Sequence, residues 1–411
     1  MITKNNNFFK NIDWITVIIY FILVFFGTIN LYSVSFERAE KQLIWIFISF
    51  ATILIIFFLN PIHYKNFTKS FFFFTLLLLI GVFFFGKTIN GSKSWYVFGF
   101  INFQPSELSK ISTSLMIANF LSLKRYDKNI FFYIIITLIV PAILIFIQPD
   151  PGSSIVFCSF ILTLYREGLS IFFIIFCLFS AFLFLISIKI YSYIVIIFLS
   201  ILLVLILSLK KKILIYDLLL YSTLFIFFSI FSFFSPFFFK ELLKSHQRDR
   251  INILFKDEFD KKYRNNIGYN LLYSKTAIGS GNLFGKGYKN GNITNGRYVP
   301  EQHTDYIFCS IGEEWGFVGC IVVIILYFLF IARIYFLSEK QKSIFGRVYG
   351  YSVGNILFAH LGINLGMVMG LTPTIGIVLP FFSYGGSSLW AFTILVFLFI
   401  RINYSNESNF I

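Results

Sequence analysis

Asp305 closes the string Pro300-Glu301-Gln302-His303-Thr304-Asp305, and the apolar run Tyr306-Ile307-Phe308 follows it at once. A carboxylate where a polar segment enters an apolar one is partly desolvated, which suits it to general-base work. The same position suits a helix N-cap, alone or shared with Thr304, and position does not separate the two. Glu107 and Lys110 are three residues apart in a segment that opens with Gln104-Pro105-Ser106. On a helix they share a face and neutralise one another, either as a structural ion pair or as the lining of a polar cavity. Pro105 fits the first helical turn, where its missing N–H is harmless. Asp150 lies in Gln148-Pro149-Asp150-Pro151-Gly152, a tight turn in which an Asp more often caps the next helix than reacts. Asp217, Glu313 and Glu314 are further ionisable residues set in apolar stretches, where a charge is costly and marks a functional candidate by default.

Two glycine-rich segments could also serve a site. Gly279-Ser280-Gly281-Asn282-Leu283-Phe284-Gly285-Lys286-Gly287 fails the phosphate-loop pattern, because Gly287 follows the Lys where Ser or Thr is needed. Ser383-Tyr384-Gly385-Gly386-Ser387-Ser388 comes a few residues after Pro373 and Pro380 and is not a nucleophile elbow. It should break or unwind the last apolar stretch, which is tolerated at membrane depth only where protein or a water-filled cavity receives the freed backbone groups.

The elements that must hold these residues are set by composition. The chain has 411 residues, 57% hydrophobic and 13% charged, with a mean hydropathy of +0.80. A soluble domain carries about 25% charge, so a water-soluble globular protein is excluded. A spanning helix needs about 20 mostly apolar residues. The expected fold class is therefore an all-α polytopic integral membrane protein with about twelve transmembrane helices, at roughly 14–34, 42–60, 70–86, 105–122, 130–148, 152–166, 169–188, 190–209, 213–239, 304–336, 345–370 and 376–401. The first is too long for a cleaved signal peptide and no small-residue cleavage site follows it.

The formal charge of +15 could suggest nucleic acid, but its placement argues for topology instead. With a cytoplasmic N-terminus, the short loops on that side carry fourteen Lys and Arg, from Lys4 to Arg347, whereas those opposite carry only Arg38, Lys41, Lys87, Lys93 and Lys189. That bias places both termini in the cytoplasm. The long loop at 240–303 then lies outside with twelve cations against six acids. It is either a solvated basic surface facing anionic headgroups or a site for an anionic substrate such as a lipid phosphate. Cys158, Cys177, Cys309 and Cys320 fall within spans and read as small buried apolar residues. The four His lack ligand spacing, so no metal site is expected.

Several of these motifs occur together, in order. Gly91-Ser92-Lys93-Ser94-Trp95, Phe103-Gln104-Pro105-Ser106-Glu107, Gln148-Pro149-Asp150, Ser274-Lys275-Thr276-Ala277-Ile278-Gly279-Ser280-Gly281, Pro300 to Phe308, Gly370-Leu371-Thr372-Pro373 and Ser383 to Ser388 follow the order and spacing of the SEDS family. The chain resembles that family over nearly its whole length, and its elongation-type members most. The resemblance implies a peptidoglycan glycosyltransferase that polymerises lipid II at the outer face of the bacterial cytoplasmic membrane. It maps the family's essential Asp onto Asp305, its fourth-helix Glu and Lys onto Glu107 and Lys110, and its loop arginine onto Arg250. By the same resemblance Lys275, His303, Thr304 and Ser387 join the substrate site, and Trp95, Gln104, Pro105, Asp150, Gly281, Gly385 and Gly386 shape the cavity. The family's ten-helix core leaves a surplus helix pair within 169–239. Tyr273 and Asn282 depart from the family's usual loop residues.

In the mechanism so implied, Asp305 takes the proton of a GlcNAc 4-hydroxyl, which attacks the anomeric carbon of the lipid-linked strand. Undecaprenyl pyrophosphate leaves with inversion, its charge offset by Lys110, Arg250 and other loop cations, or by a divalent ion such as Mg or Mn. No cofactor is otherwise implied. The implied partners are lipid II, undecaprenyl pyrophosphate-linked glycan, a class B penicillin-binding transpeptidase and the wall-elongation machinery, with no nucleic acid. The rival readings are a flippase for lipid II, which many spans and intramembrane charges would also suit, and a non-catalytic scaffold. Against the flippase, no inverted repeat is visible and the ionisable residues gather at the external side.

Overall fold

The structure is a computed structural model, which describes residues 12–89, 91–99, 101–123, 128–210, 214–243, 245–253 and 267–407. Lys4, the first of the topology-setting cations, lies outside the described residues, as do the loop segments 124–127, 211–213 and 254–266. The helices are α1 (Trp14–Val34), α2 (Phe36–Phe58), α3 (Pro61–Phe85), α4 (Pro105–Ser122), α5 (Lys128–Ile147), α6 (Pro151–Val156), α7 (Phe160–Arg166), α8 (Ile171–Lys189), α9 (Ser192–Leu209), α10 (Ile215–Phe237), α11 (Ser245–Asn252), α12 (Ile267–Ser280), α13 (Asn292–Asn295), α14 (Ile307–Glu339), α15 (Ile344–Val368) and α16 (Gly386–Glu407). Polar residues set several starts: Asp13 caps α1, Asn60 caps α3 ahead of Pro61, Asp150 caps α6 and Ser343 caps α15.

Among the described residues, ten helices are long and apolar enough to cross a membrane. Two of the twelve expected spans fall short. The 152–166 stretch is broken into α6, a 3-10 turn at Phe157–Ser159 and α7. Helix α4 has the expected limits, but it carries Ser106, Glu107, Ser109, Lys110, Ser112, Thr113, Ser114 and Asn119, all buried. Helices α3, α5, α15 and α16 pack around it, so protein rather than lipid surrounds its polar side chains. An antiparallel sheet also interrupts the expected all-helical course: β1 (Lys87–Ile89), β2 (Ser92–Phe98) and β3 (Ile101–Phe103), in that order, with Lys87 opposite Trp95 and Tyr96 opposite Phe103.

The chain divides into two compact units, Met1–Thr163 with Asp257–Ile411, and Leu164–Lys256. The second unit holds α8, α9, α10 and α11. Its core is Leu183, Val195, Leu199 and Phe228, with Phe176 and Phe179 against it, and Ser187 and Ser232 share a 2.6 Å hydrogen bond. Cys158 and Cys177 are exposed, contrary to expectation, whereas Cys309 and Cys320 are buried. In an apolar helix with lipid as solvent, a thiol side chain meets no penalty for facing outward.

In the first unit α14 bends at Gly316, whose φ of 65° and ψ of −162° break the helical path and suit glycine alone without strain. The backbone at 281–287 is bolted to that bend. Lys286 N donates to Glu313 O at 3.0 Å, Gly287 N to Glu314 O at 3.0 Å and Phe317 N to Asn282 O at 2.9 Å. Glu313 is wholly buried. Its carboxylate accepts from Lys286 Nζ at 2.7 Å, Ile293 N at 2.9 Å, Thr294 N at 2.8 Å and Thr294 Oγ1 at 2.6 Å. Glu313 is thus the anchor of the 286–294 segment, and Glu314 bonds to Ser33 on α1. Replacing Glu313 by Ala strands two backbone donors and a lysine, so unfolding in detergent should become easier by at least about 3 kcal/mol. Thermal unfolding followed by fluorescence checks it, with Glu313→Gln retaining part of the loss.

Candidate active site

Residues 371–385 run without helix between α15 and α16. Side chains from neighbouring elements bond to this stretch. Asn364 Nδ2 donates to Ile377 O at 2.6 Å, Tyr327 donates to Pro380 O, and Leu379 N donates to Ser383 Oγ at 2.8 Å. Ser383 Oγ in turn donates to Thr304 O at 2.6 Å, and Tyr384 N to His303 O at 2.8 Å. The turn that carries Asp305 is therefore clamped to the unwound stretch from several sides. Asn364 Nδ2 adds a 2.8 Å bond to the Asp305 carbonyl.

The cap of α14 is Tyr306, with no side-chain cap bond. Asp305 and Thr304 stand one and two residues before that cap position. Thr304 Oγ1 donates to Glu301 Oε2 at 3.0 Å, and His303 Nε2 lies 3.6 Å from the same carboxylate. The Asp305 carboxylate lies against Gly376, where a Cβ would come within 3.1 Å of its Oδ2. Gly376 has a φ of 75° and is exposed. A bare, open backbone therefore flanks the carboxylate, which leaves room for a ligand beside it.

Behind the stretch 375–379 sits the polar end of α4. Lys110 Nζ is 2.8 Å from Glu107 Oε2 and 2.9 Å from His360 Nε2. Glu107 and Lys110 are 4% and 2% exposed, so this pair points into the protein rather than onto an open surface. Gln104 takes the position before α4 without capping it, and its Nε2 donates to Asp150 Oδ2 at 2.7 Å. Asp150 Oδ1 accepts from Ser153 N at 3.1 Å. Burial pushes the Asp150 carboxyl above the usual carboxylate range, helped by Glu107 and opposed by the Ser153 amide and by Lys110. Gly152 lies against the carbonyls of Ile375 and Gly376, which brings the Asp150 turn to the same loop.

The other expected site residues are placed around this centre. Pro105 is in the first turn of α4, and Trp95 is half-buried in β2. The Lys275 ammonium lies against Gly370, at the end of α15, where a Cβ would stand 2.9 Å from its Nζ. Gly281 is pressed against the Gly312 carbonyl, and Gly386 against the Trp45 indole. Gly385 N donates to Gln42 Oε1 at 3.4 Å. Ser387 is buried in the first turn of α16. Ser383, not Ser387, makes the clamping bonds. Arg250 sits near the end of α11 in the second unit.

Three residues that the motifs did not single out prove central, His360, Asn364 and Gln42, and so does Ser383, which opens one of those motifs. His360 and Asn364 were detectable as an i, i+4 polar pair on one helix face within 345–370. Neither has metal-ligand spacing.

The chain matches the family of cell cycle proteins FtsW/RodA/SpoVE over residues 7–193 and 167–408. It belongs to that family, the SEDS family. Among its SEDS relatives, the peptidoglycan glycosyltransferase MrdB of Escherichia coli K12 is 30% identical over 339 residues, 80% of this chain and 75% of that one. The peptidoglycan glycosyltransferase RodA of Treponema pallidum is 29% identical over 392 residues, 88% and 89% of the two chains. Two solved structures share the SEDS fold. One, from a study of how a peptidoglycan synthase complex coordinates polymerization and crosslinking, has a TM-score of 0.72 at 24% identity, covering 96% of this chain and 98% of that one. The rod shape determining protein RodA of Thermus thermophilus has a TM-score of 0.60 at 22% identity, with 96% and 97% covered.

The Asp150 arrangement generates a test. Its raised carboxyl pKa means that the ionised form costs stability, so the folded state weakens as pH rises from about 4. Asp150→Asn keeps the cap acceptor without the charge and should be at least as stable as wild type at pH 7, the difference shrinking as pH falls. Asp150→Ala should lose about 1 kcal/mol with the cap. Unfolding temperatures measured from pH 5 to pH 8 check both.

Proposed function

We propose that this chain is a peptidoglycan glycosyltransferase that polymerises lipid II into β-1,4-linked glycan at the outer face of the bacterial cytoplasmic membrane, during elongation. The observation that carries the reading is the Asp305 carboxylate beside the exposed Gly376 backbone, in a turn locked by Ser383 and Asn364. Support also comes from the names of the relatives, MrdB and RodA, as peptidoglycan glycosyltransferases.

Asp305 accepts the proton of the GlcNAc 4-hydroxyl of an incoming lipid II. That oxygen bonds to the anomeric carbon of the lipid-linked strand while the bond from this carbon to the pyrophosphate oxygen breaks. The electron pair leaves with undecaprenyl pyrophosphate, and the configuration inverts. Pyrophosphate needs charge offset rather than a proton, so a second carboxylate acting as general acid is dispensable, unlike in glycoside hydrolysis. Lys110 is paired and buried, so its ammonium polarises the site from behind, while Lys275, Arg250 and the loop cations remain the groups proposed to meet the diphosphate. A divalent ion such as Mg or Mn would supply the same charge offset at the pyrophosphate. The proposed partner is a class B penicillin-binding transpeptidase, consistent with the synthase complex that supplies one structural neighbour. The helix pair within 169–239 is proposed as an addition to the catalytic core.

A reconstituted assay that scores glycan-strand formation separately from lipid translocation tests the reading. Wild type should form strands from purified lipid II. Asp305→Asn should slow this by about 100-fold to 10,000-fold, the usual contribution of a general base, with unchanged unfolding temperature. Undiminished strand formation by the variant would remove Asp305 from this role, and translocation without polymerisation would favour a flippase.

A further inference from the structure

His360 lies in the interior of α15, 2% exposed, and its two ring nitrogens face different partners. Nε2 is 2.9 Å from Lys110 Nζ, and Nδ1 is 3.1 Å from Val378 O. An ammonium can only donate and a carbonyl can only accept. Both contacts are satisfied together by one form of the ring, the neutral imidazole with its proton on Nδ1. A doubly protonated ring would set two cations 2.9 Å apart.

The Lys110 contacts are unequal. Glu107 Oε2 lies 2.8 Å away but receives no aligned hydrogen bond, so that contact is an ion pair without direction, whereas the bond to His360 is directional. Phe392 walls the arrangement, with the imidazole edge-on at 4.8 Å and the ammonium over its face at 5.0 Å. One turn further along α15, Asn364 binds the carbonyls of Ile377 and Asp305. His360 and Asn364 therefore hold adjacent residues, 378 and 377, of the stretch whose Gly376 abuts the Asp305 carboxylate.

We propose that His360 is a positioning residue for glycosyl transfer: it couples the Lys110 ammonium to the Val378 carbonyl and so fixes the 376–378 backbone against which Asp305 is set. This rests on the glycosyltransferase reading above. Loss of either nitrogen contact lets that backbone relax away from α4, and Asp305 with it. A misplacement near 1 Å at a reacting group costs about 100-fold in rate.

The test uses the full-length protein in nanodiscs with purified lipid II. His360→Leu removes both contacts and should lower kcat by about 100-fold with little change in KM. His360→Gln offers one acceptor and one donor and should recover most of that loss, which a purely space-filling role would not produce. Should His360→Leu fail to fold, the ¹⁵N spectrum of histidine-labelled wild type, assigned by difference from His360→Gln, reads the tautomer directly. A neutral ring protonated at Nδ1 is expected. A ring protonated at Nε2 or at both nitrogens would overturn the proposal, as would full activity of His360→Leu or a His360→Gln no better than His360→Leu. Absence of strand formation by wild type would overturn the glycosyltransferase reading and the positioning role with it, while leaving the tautomer result intact.

Discussion

Lipid offers no hydrogen bonds, so backbone that leaves the helix at membrane depth must be received by protein or by a water-filled cavity. The stretch 371–385 runs without helix between two apolar helices, and several elements of the first unit bond to it. Asn364 and His360 reach it from α15, Tyr327 from α14, Gln42 from α2, and Ser383 from within the stretch itself. The burial of the polar helix α4 follows from the same demand. Its Lys110 needs Glu107 for charge and His360 for direction, and no lipid-facing position could supply either.

The acids of the first unit take different places in this arrangement. Glu313 is consumed by four donors and serves as a loop anchor. Glu107 neutralises Lys110 and Asp150 caps α6 while holding Gln104. Asp305 has its carbonyl bound by Asn364 and its carboxylate against an exposed glycine. Rigid backbone beside an exposed glycine suits the base role proposed for Asp305, in which it would meet a hydroxyl without reorganising.

Much of this was legible in the sequence, for identifiable reasons. Apolar runs near 20 residues find helices whatever their neighbours, and Pro105 and Asp150 announce helix starts through local geometry, whereas α3 begins at Pro61, ahead of the expected 70. Composition could not show that 105–122 is walled off from lipid, because the partners that bury Ser112 and Thr113 come from α3, α15 and α16. Nor could it separate a cap from a base at Asp305, since both roles suit a carboxylate where a polar segment enters an apolar one. The bond between Lys110 and His360 joins residues 250 apart in the chain, and no local pattern encodes it. The strands at 87–103 were missed because their residues alternate too briefly against long apolar helices on either side.

The central claim is that the unwound stretch and its clamps present Asp305 to a sugar hydroxyl. An experimental structure of the protein with a non-transferable lipid II analogue bound tests it most directly. The account predicts the acceptor 4-hydroxyl within about 3.2 Å of the Asp305 carboxylate, over Gly376. A disaccharide bound with its 4-hydroxyl out of reach of Asp305, or facing another carboxylate, would contradict it.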